Sequence, residues 1–283
     1  MREEHTVRLM CKTLKVSRSG FYDFENRKKK IIPLFSEEYL SELVKGVFIQ
    51  SRGTYGHRNI HFDLSAMGVS ISFRQVLNIM KINDLRGIPF RGKPYPKPEE
   101  MPESKIAKHR LNRRFDVNTA NKYWAGDITY IWTDEGWLYL AVVIDLYSRK
   151  VVGWATSDNP DTELTNQALS NAVGARTIRR WRLMFHSDQG CQYTSKSFRS
   201  KLEGYGILQS MSRRGQCWDN APVESFLGTL KQETGINRWP LATKLETREL
   251  ILDWIENWYN SKRNHSKLDY CSPSKFEEKN QAA

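Results

Sequence analysis

Long hydrophobic runs are missing from this 283-residue chain. The longest, "LYLAVVI" at 138–144, is far too short to cross a bilayer. No basic-then-apolar segment opens the sequence, so it carries no secretory signal pattern. Cysteine is scarce. The four present, Cys11, Cys191, Cys217 and Cys271, make no CxxC pair and no dense framework. That excludes a disulfide scaffold and favours reduced thiols in a cytoplasmic protein. Excess negative charge is absent as well.

What is present is positive charge, unevenly placed. The net charge is +12. Residues 1–114 hold 23 Lys+Arg against 12 Asp+Glu, while residues 115–283 hold 21 against 20. A basic front on a near-neutral body points to a polyanionic partner for the front.

The front reads as helices. "HTVRLMCKTLKVSRSGFYDF" gives helix, turn, helix: Val7, Leu9, Met10 and Leu14 form an apolar face, and Ser17 caps a second helix carrying Arg18, Phe21, Tyr22 and Phe24. This partial helix-turn-helix unit occupies 1–30. A second helical unit, 31–86, has Leu40, Leu43, Val44 and Val47 at helical spacing, then "RGTYGHRNIHFDLSAMG", then a helix capped by Ser72 with Val76, Leu77, Ile79 and Met80 on one face. Arg18, Arg52, His57, Arg58 and Arg74 are the DNA-contacting candidates of these units. His57 and His61 stand at i, i+4 in "HRNIH", but no CxxC accompanies them, so zinc is not supported. Residues 87–120, with five prolines, read as an extended linker.

The body changes period. Three strand-like runs at 123–132, 137–146 and 150–156 are joined by short turns, as antiparallel hairpins are. Then come a helix over 161–175, a short strand ending near Asp188, a helix in "TSKSFRSKLEGYG", the strand "ILQSMS", and a helix in "NAPVESFLGTLKQET". "TKLETRELILDWIENWYNSKRN" follows as one longer amphipathic helix. The predicted fold class is α/β, a ribonuclease H-like core over 121–236. Its five-stranded mixed sheet has order 3-2-1-4-5, with flanking helices and a helical extension over 237–283.

That order makes neighbours of the middle of the first strand and the end of the fourth. Asp127, an acid out of place in "WAGDITYIWT", then faces Asp188 in "HSDQG". Glu224, on the helix after the fifth strand, supplies a third carboxylate. Singly, a strand Asp is more often an edge residue and a helix Glu more often a solvated one. Together the three fall on the right elements in the right order. Converging acids repel, and a hard divalent cation such as magnesium relieves them while leaving room for phosphate oxygens. Two such ions together activate an attacking oxygen and stabilise a leaving one. Lys231 and Asn220 share a helix face with Glu224, and His186 alternates to the side of Asp188. All three are candidates for contact with DNA, with a surface lysine, an N-cap and a structural histidine as the plainer readings. Asp145 is assigned to the hairpin and Asp219 is a weaker rival to Glu224.

The stretches "VSRSGFYDF", "SRGTYGHRNIH", "YWAGDITYI", "YLAVVIDLYSRKVVGW", "FHSDQGCQYTS", "SMSRRGQCWDNAPVESFLGTLKQE" and "YNSKRNHSKLDYCSPSKFE" resemble the catalytic, second-frame (OrfB) protein of the insertion-sequence-three family of bacterial transposases, over nearly the whole chain. The resemblance implies a retroviral-integrase-like Asp-Asp-Glu site, here Asp127, Asp188 and Glu224, using two Mg2+ ions, with Mn2+ able to substitute. It implies copy-out–paste-in transposition: 3′-end cleavage and strand transfer at the element's terminal inverted repeats and into target DNA. It also implies a homo-oligomer on DNA, the upstream-frame protein (OrfA) as fusion or partner, and a cytoplasmic, nucleoid-associated location. Two other readings are a regulator with a decayed catalytic domain and a nuclease of the same fold that cuts without joining.

Overall fold

A computed structural model describes residues 6–30, 35–88, 107–213, 216–236 and 242–281. The front of the chain is helical. Helices α1 (Val7–Thr13) and α2 (Arg18–Lys30) form a pair. Thr6 caps the first, and the Ser17 hydroxyl accepts from Gly20 N at 3.0 Å. The expected apolar face of α1 is only partly used: Cys11 is buried, whereas Leu9 and Leu14 are exposed.

Helices α3 (Glu37–Gln50), α4 (His57–Ala66) and α5 (Phe73–Ile82) make the second unit. Ser36 caps α3, and Ser72 with Gln75 forms a reciprocal capping box on α5, satisfying otherwise orphan amides. Val44, Val47, Ile60, Leu64, Val76 and Met80 fill its interior. Each helix contributes residues at three- and four-residue spacing, as a single buried stripe requires.

The sheet follows the order β3-β2-β1-β4-β5. Its strands are β1 (Tyr123–Thr133), β2 (Gly136–Asp145), β3 (Val151–Ser157), β4 (Met184–Ser187) and β5 (Leu208–Met211). The first three pair antiparallel; β4 lies parallel to β1, and β5 parallel to β4. Both faces are covered, so β2 is apolar at every inner position. Leu138, Leu140, Val142 and Ile144 face one core cluster while Ala141 and Val143 face the other. Helices α6 (Thr162–Ala175), α7 (Cys191–Thr194) and α8 (Lys196–Tyr205) cover one face, and α9 (Ala221–Thr234) the other. Gly153 lets α6 approach β3: a Cβ there would stand 2.4 Å from Ala172 N.

The C-terminal part departs from the expected single helix. Helix α10 (Lys244–Leu252) widens at Asp253–Tyr259 into a π-helical stretch before α11 (Pro273–Gln281). The widened turn brings Trp254, Trp258 and Tyr259 into the core, where Trp254 and Tyr259 pack on Phe226 of α9. Glu233 accepts from the indole N–H groups of Trp254 and Trp258, both at 3.2 Å, and from Arg263 Nε at 2.8 Å. The segment is therefore part of the body, not an appendage. It also meets the second helical unit. Asn264 N donates to Tyr55 Oη at 2.7 Å, Asn264 Nδ2 donates to Asp63 Oδ1 at 2.6 Å, and Arg52 pairs with Asp253 at 2.7 Å.

The parts of the expected linker that are described, 87–88 and 107–120, are not free: Ile88 N donates to the Thr54 carbonyl at 3.1 Å. Leu111 is buried, and the amides of Arg110 and Leu111 donate to Ser210 Oγ of β5 at 3.0 and 3.2 Å. This segment lies over the face of β4 and β5 that carries His186 and Ser210.

Candidate active site

The parallel register pairs Ala125 with His186. Two residues further along each chain, Asp127 and Asp188 arrive at the same level, Asp188 just past the end of β4. Beyond that point β1 has only β2 beside it, so its outer edge is open next to the acids. Gly126 permits the close packing that sets this up: a Cβ there would fall 2.5 Å from the Phe185 ring.

Helix α9 brings the third acid. Val223, Phe226, Leu227 and Leu230 bury one stripe of it against the sheet. Pro222 sits in the first turn, where its missing N–H costs nothing. Glu224 is in that same turn, where the positive end of the helix dipole favours a carboxylate. Asn220, just before the helix, makes no capping bond. Its Nδ2 donates instead to the Gly126 carbonyl at 3.2 Å, tying the start of α9 to the residue beside Asp127.

The electrostatics mark these acids as one group. Burial pushes the Asp127 carboxyl up, and Asp188 adds to it; Glu224 contributes in the same sense, for a value of about 7. The amide of Ile128, donating to Asp127 Oδ1 at 2.8 Å, and the Lys231 ammonium oppose the rise but do not cancel it. Asp188 Oδ1 accepts from Gly190 N at 3.0 Å. Among the described residues no three acidic, histidine or cysteine groups already converge as a metal cage. The donor set itself, two Asp and one Glu, consists of hard oxygens of the kind magnesium takes.

Around the acids the outcome for the other candidates is mixed. Lys231 Nζ donates to the Tyr130 carbonyl at 3.1 Å, on the open edge of β1. Burial lowers its pKa and Asp127 acts against that. His186 does not reach the surface. It is fully buried, with Nδ1 2.9 Å from Ser210 Oγ and Nε2 3.1 Å from Ser212 Oγ. Its assignment to DNA is withdrawn, because the 107–111 segment and β5 cover it. Asn220 is also buried and spent on Gly126. Arg52 is tied to Asp253 and lies 5.3 Å from the Trp258 ring centroid. Arg18, Arg58 and Arg74 are exposed, and His57 is half-buried. His61 stacks on Phe73 at 3.8 Å between centroids, an ordinary packing role.

Two features had no sequence signal. Tyr193 is buried beside Asp127 and Asp188, which together with burial raise its phenol well above the usual range. It forms an apolar floor under the acids. Asp219 is fully buried too, but among cations. Arg113 Nε lies 2.7 Å from Oδ1, Arg213 Nε 3.3 Å from Oδ2 and His109 Nε2 3.7 Å from Oδ1. Burial alone would raise its pKa. Hydrogen bonds from Arg213 and Arg113 outweigh it and hold the carboxyl at about 2. It is therefore a structural anchor for the loop that leads to Glu224, not a rival to it. Asp145 likewise serves its hairpin, accepting from Asn121 N at 2.7 Å and Tyr147 N at 3.0 Å.

Comparison with known proteins places this arrangement. Models of an integrase core domain match residues 117–217 and 205–273, and an HTH-like domain matches 36–94. The transposase InsF for insertion sequence IS3fB of Escherichia coli (strain K12) is 35% identical over 280 residues, which cover 99% of this chain and 96% of that protein. The chain belongs to the IS3 family of transposases. The transposase for insertion sequence element IS904 of Lactococcus lactis subsp. lactis (strain IL1403) is 40% identical over 86% of this chain and 95% of that protein. Among solved structures, the chain is similar to the simian T-cell lymphotropic virus intasome, with 14% identity, a TM-score of 0.48 and coverage of 83% of this chain and 73% of that one. Similarity to the HTLV-2 integrase catalytic core domain gives 17% identity, a TM-score of 0.43 and coverage of 55% and 95%. In this family member no described helix is long and apolar enough to cross a membrane.

Proposed function

We propose that the chain is an Asp-Asp-Glu polynucleotidyl transferase that cleaves the 3′ ends of an insertion sequence and joins them to DNA. One observation carries this reading: the parallel register of β1 and β4 sets Asp127 and Asp188 level with each other, and Asn220 ties the start of the Glu224 helix to Gly126 beside them. Asp127, Asp188 and Glu224 would hold Mg2+, in one or two ions. When bound, the metal neutralises charge at the scissile phosphate and lowers the pKa of the attacking oxygen.

The rest is positioning by the chain. Asp127 and Asp188 orient from adjacent strands, where backbone amides fix one oxygen of each. Glu224 approaches from a helix pinned through Asn220. Lys231 offers a point charge to a phosphate on the open edge of β1. Tyr193 and the apolar floor keep water from beneath the acids. No covalent enzyme intermediate is required: water, then a 3′-hydroxyl, attacks phosphorus in line, and catalysis is placement plus charge stabilisation.

The test uses labelled duplexes bearing the element's terminal repeat, with Mg2+ or Mn2+. The reading expects a nick at the 3′ end followed by a joined product, both lost when the metal is chelated. Cleavage without any joined product would indicate a nuclease. Tight DNA binding with neither product would indicate a decayed regulator.

A further inference from the structure

The turn that enters β4 lies at the end of the sheet opposite the acids. From Arg182 to Asp188 the chain travels roughly 20 Å at about 3.3 Å per residue. Its sequence, "RTIRRWR" over 176–182, concentrates positive charge. Arg176 is spent, its Nη2 lying 2.7 and 3.0 Å from the carboxylate oxygens of buried Glu277. Arg179, Arg180, Trp181 and Arg182 are all exposed. Within the described residues the side chains of Arg179 and Arg182 make no hydrogen bond or ion pair. Lys122 adds a further exposed cation beside them, since its carbonyl accepts from Met184 N at 3.0 Å. The acid carried by the last turn of α8, against which this turn packs, is Glu203.

The turn is held firmly. Arg180 Nη1 donates to the Gly204 carbonyl at 2.9 Å, Trp181 N donates to the Gly206 carbonyl, and Arg182 N donates to the Arg179 carbonyl at 3.1 Å. Trp181 sits at φ +60°. For a bulky residue that backbone is a strained outlier. Burial does not offset it, because the ring is 51% exposed. A strained backbone thus presents an aromatic ring to water among guanidinium groups. That pattern is one that nucleic acid takes up, through phosphates and the apolar faces of its sugars.

We infer that this turn is a second DNA-contacting surface, which takes the sugar–phosphate backbone of duplex DNA away from the reacting phosphate. Arg179 and Arg182 meet phosphates, and Trp181 lies against a sugar between them. The inference rests on the reading of this chain as a DNA-acting transposase, but its test does not need cleavage.

Binding is measured by fluorescence anisotropy on a long duplex and a short end duplex, at several salt concentrations. Arg179→Glu with Arg182→Glu should weaken binding of the long duplex about tenfold or more near 0.1 M salt. Each lost phosphate contact should flatten the log–log salt slope by about 0.9. Arg179→Gln with Arg182→Gln gives the same direction with a smaller drop, and serves if the charge reversal fails to fold. Trp181→Gly should act in opposite senses on two readouts. It relieves the φ strain and raises the melting temperature, yet weakens long-duplex binding several-fold. Unchanged long-duplex affinity in the arginine variants at every salt would overturn the inference. So would Trp181→Gly that melts lower and binds like the parent. A parent that binds the long duplex through this turn but cleaves no end would instead sink the proposed function and leave the surface standing.

Discussion

Two carboxylates within one domain, Asp219 fully buried and Asp127 half-buried, are handled in opposite ways. Asp219 is given cations: Arg113, Arg213 and His109 surround it, and it stays ionised with a pKa of about 2. Asp127 is given acids: burial, then Asp188 and Glu224, push it to about 7. Burial penalises the charge of both. The partner set decides what each is for. A buried acid ringed by guanidinium groups is finished and holds a loop in place. A half-buried acid flanked by other acids is the one on which the proposed metal-binding role rests. The lesson applies wherever several acids compete for assignment to a site.

The largest expected effect breaks the contrast at its functional end. Asp127→Asn, Asp188→Asn or Glu224→Gln should each reduce end cleavage and strand joining by about 10³-fold or more, roughly 4 kcal/mol of transition-state stabilisation. DNA binding by the helical units should persist. Gel assays of cleavage, joining and binding on the same duplex check this.

The next effect is on stability, with signs that differ between the two acids. The folded pKa of Asp219 is depressed below its unfolded value. Its contribution is therefore present above about pH 4 and lost as pH falls towards 2. Arg113 and Arg213 are half in water, so the contribution is discounted to about 1–2 kcal/mol. Asp219→Asn should lower the melting temperature at neutral pH and erase that acid limb. Asp127 runs the other way. Its folded pKa is raised, so the metal-free protein loses stability as pH climbs from about 4 to about 7. Melting curves across pH for parent and Asp219→Asn, without divalent ions, separate the two trends.

A smaller effect concerns Lys231, a cation on the acid side of the contrast. Lys231→Ala should cut joining several-fold, more at low salt than at high, with little change in melting temperature. Lys231→Arg should restore part of it, because a point charge is what the site asks for. Joining by the alanine variant equal to the parent at every salt would return Lys231 to a mere clasp on the Tyr130 carbonyl.

Much of this was legible in the residues. Three hairpin-length runs followed by helix–strand–helix–strand–helix dictate the sheet order. The order brings Asp127, Asp188 and the helix of Glu224 together. What was not legible depended on cover supplied from far along the chain. His186 reads as accessible by alternation along β4, but the proline-rich composition of 87–120 gave no sign that His109, Leu111 and their neighbours lie over it. Asp219 looked like a loop acid because Arg113, its shortest partner at 2.7 Å, is more than a hundred residues away. The π-helical turn at Asp253–Tyr259 also escaped, since its apolar spacing reads as ordinary α-helix until Trp254, Trp258 and Tyr259 must all turn inwards at once.

The central claim is that Asp127 is an acid kept for a cation, and one titration addresses it. Parent and Asp127→Asn are melted at pH 7.5 with increasing Mg2+ or Mn2+ and no DNA. The account predicts that without metal Asp127→Asn melts higher than the parent, by an amount on the order of 2 kcal/mol from relieved desolvation and then relieved repulsion. It also predicts that metal raises the melting temperature of the parent and leaves that of the variant nearly unmoved. A parent that ignores metal, or a variant that melts lower than the parent and responds to metal equally, would contradict it.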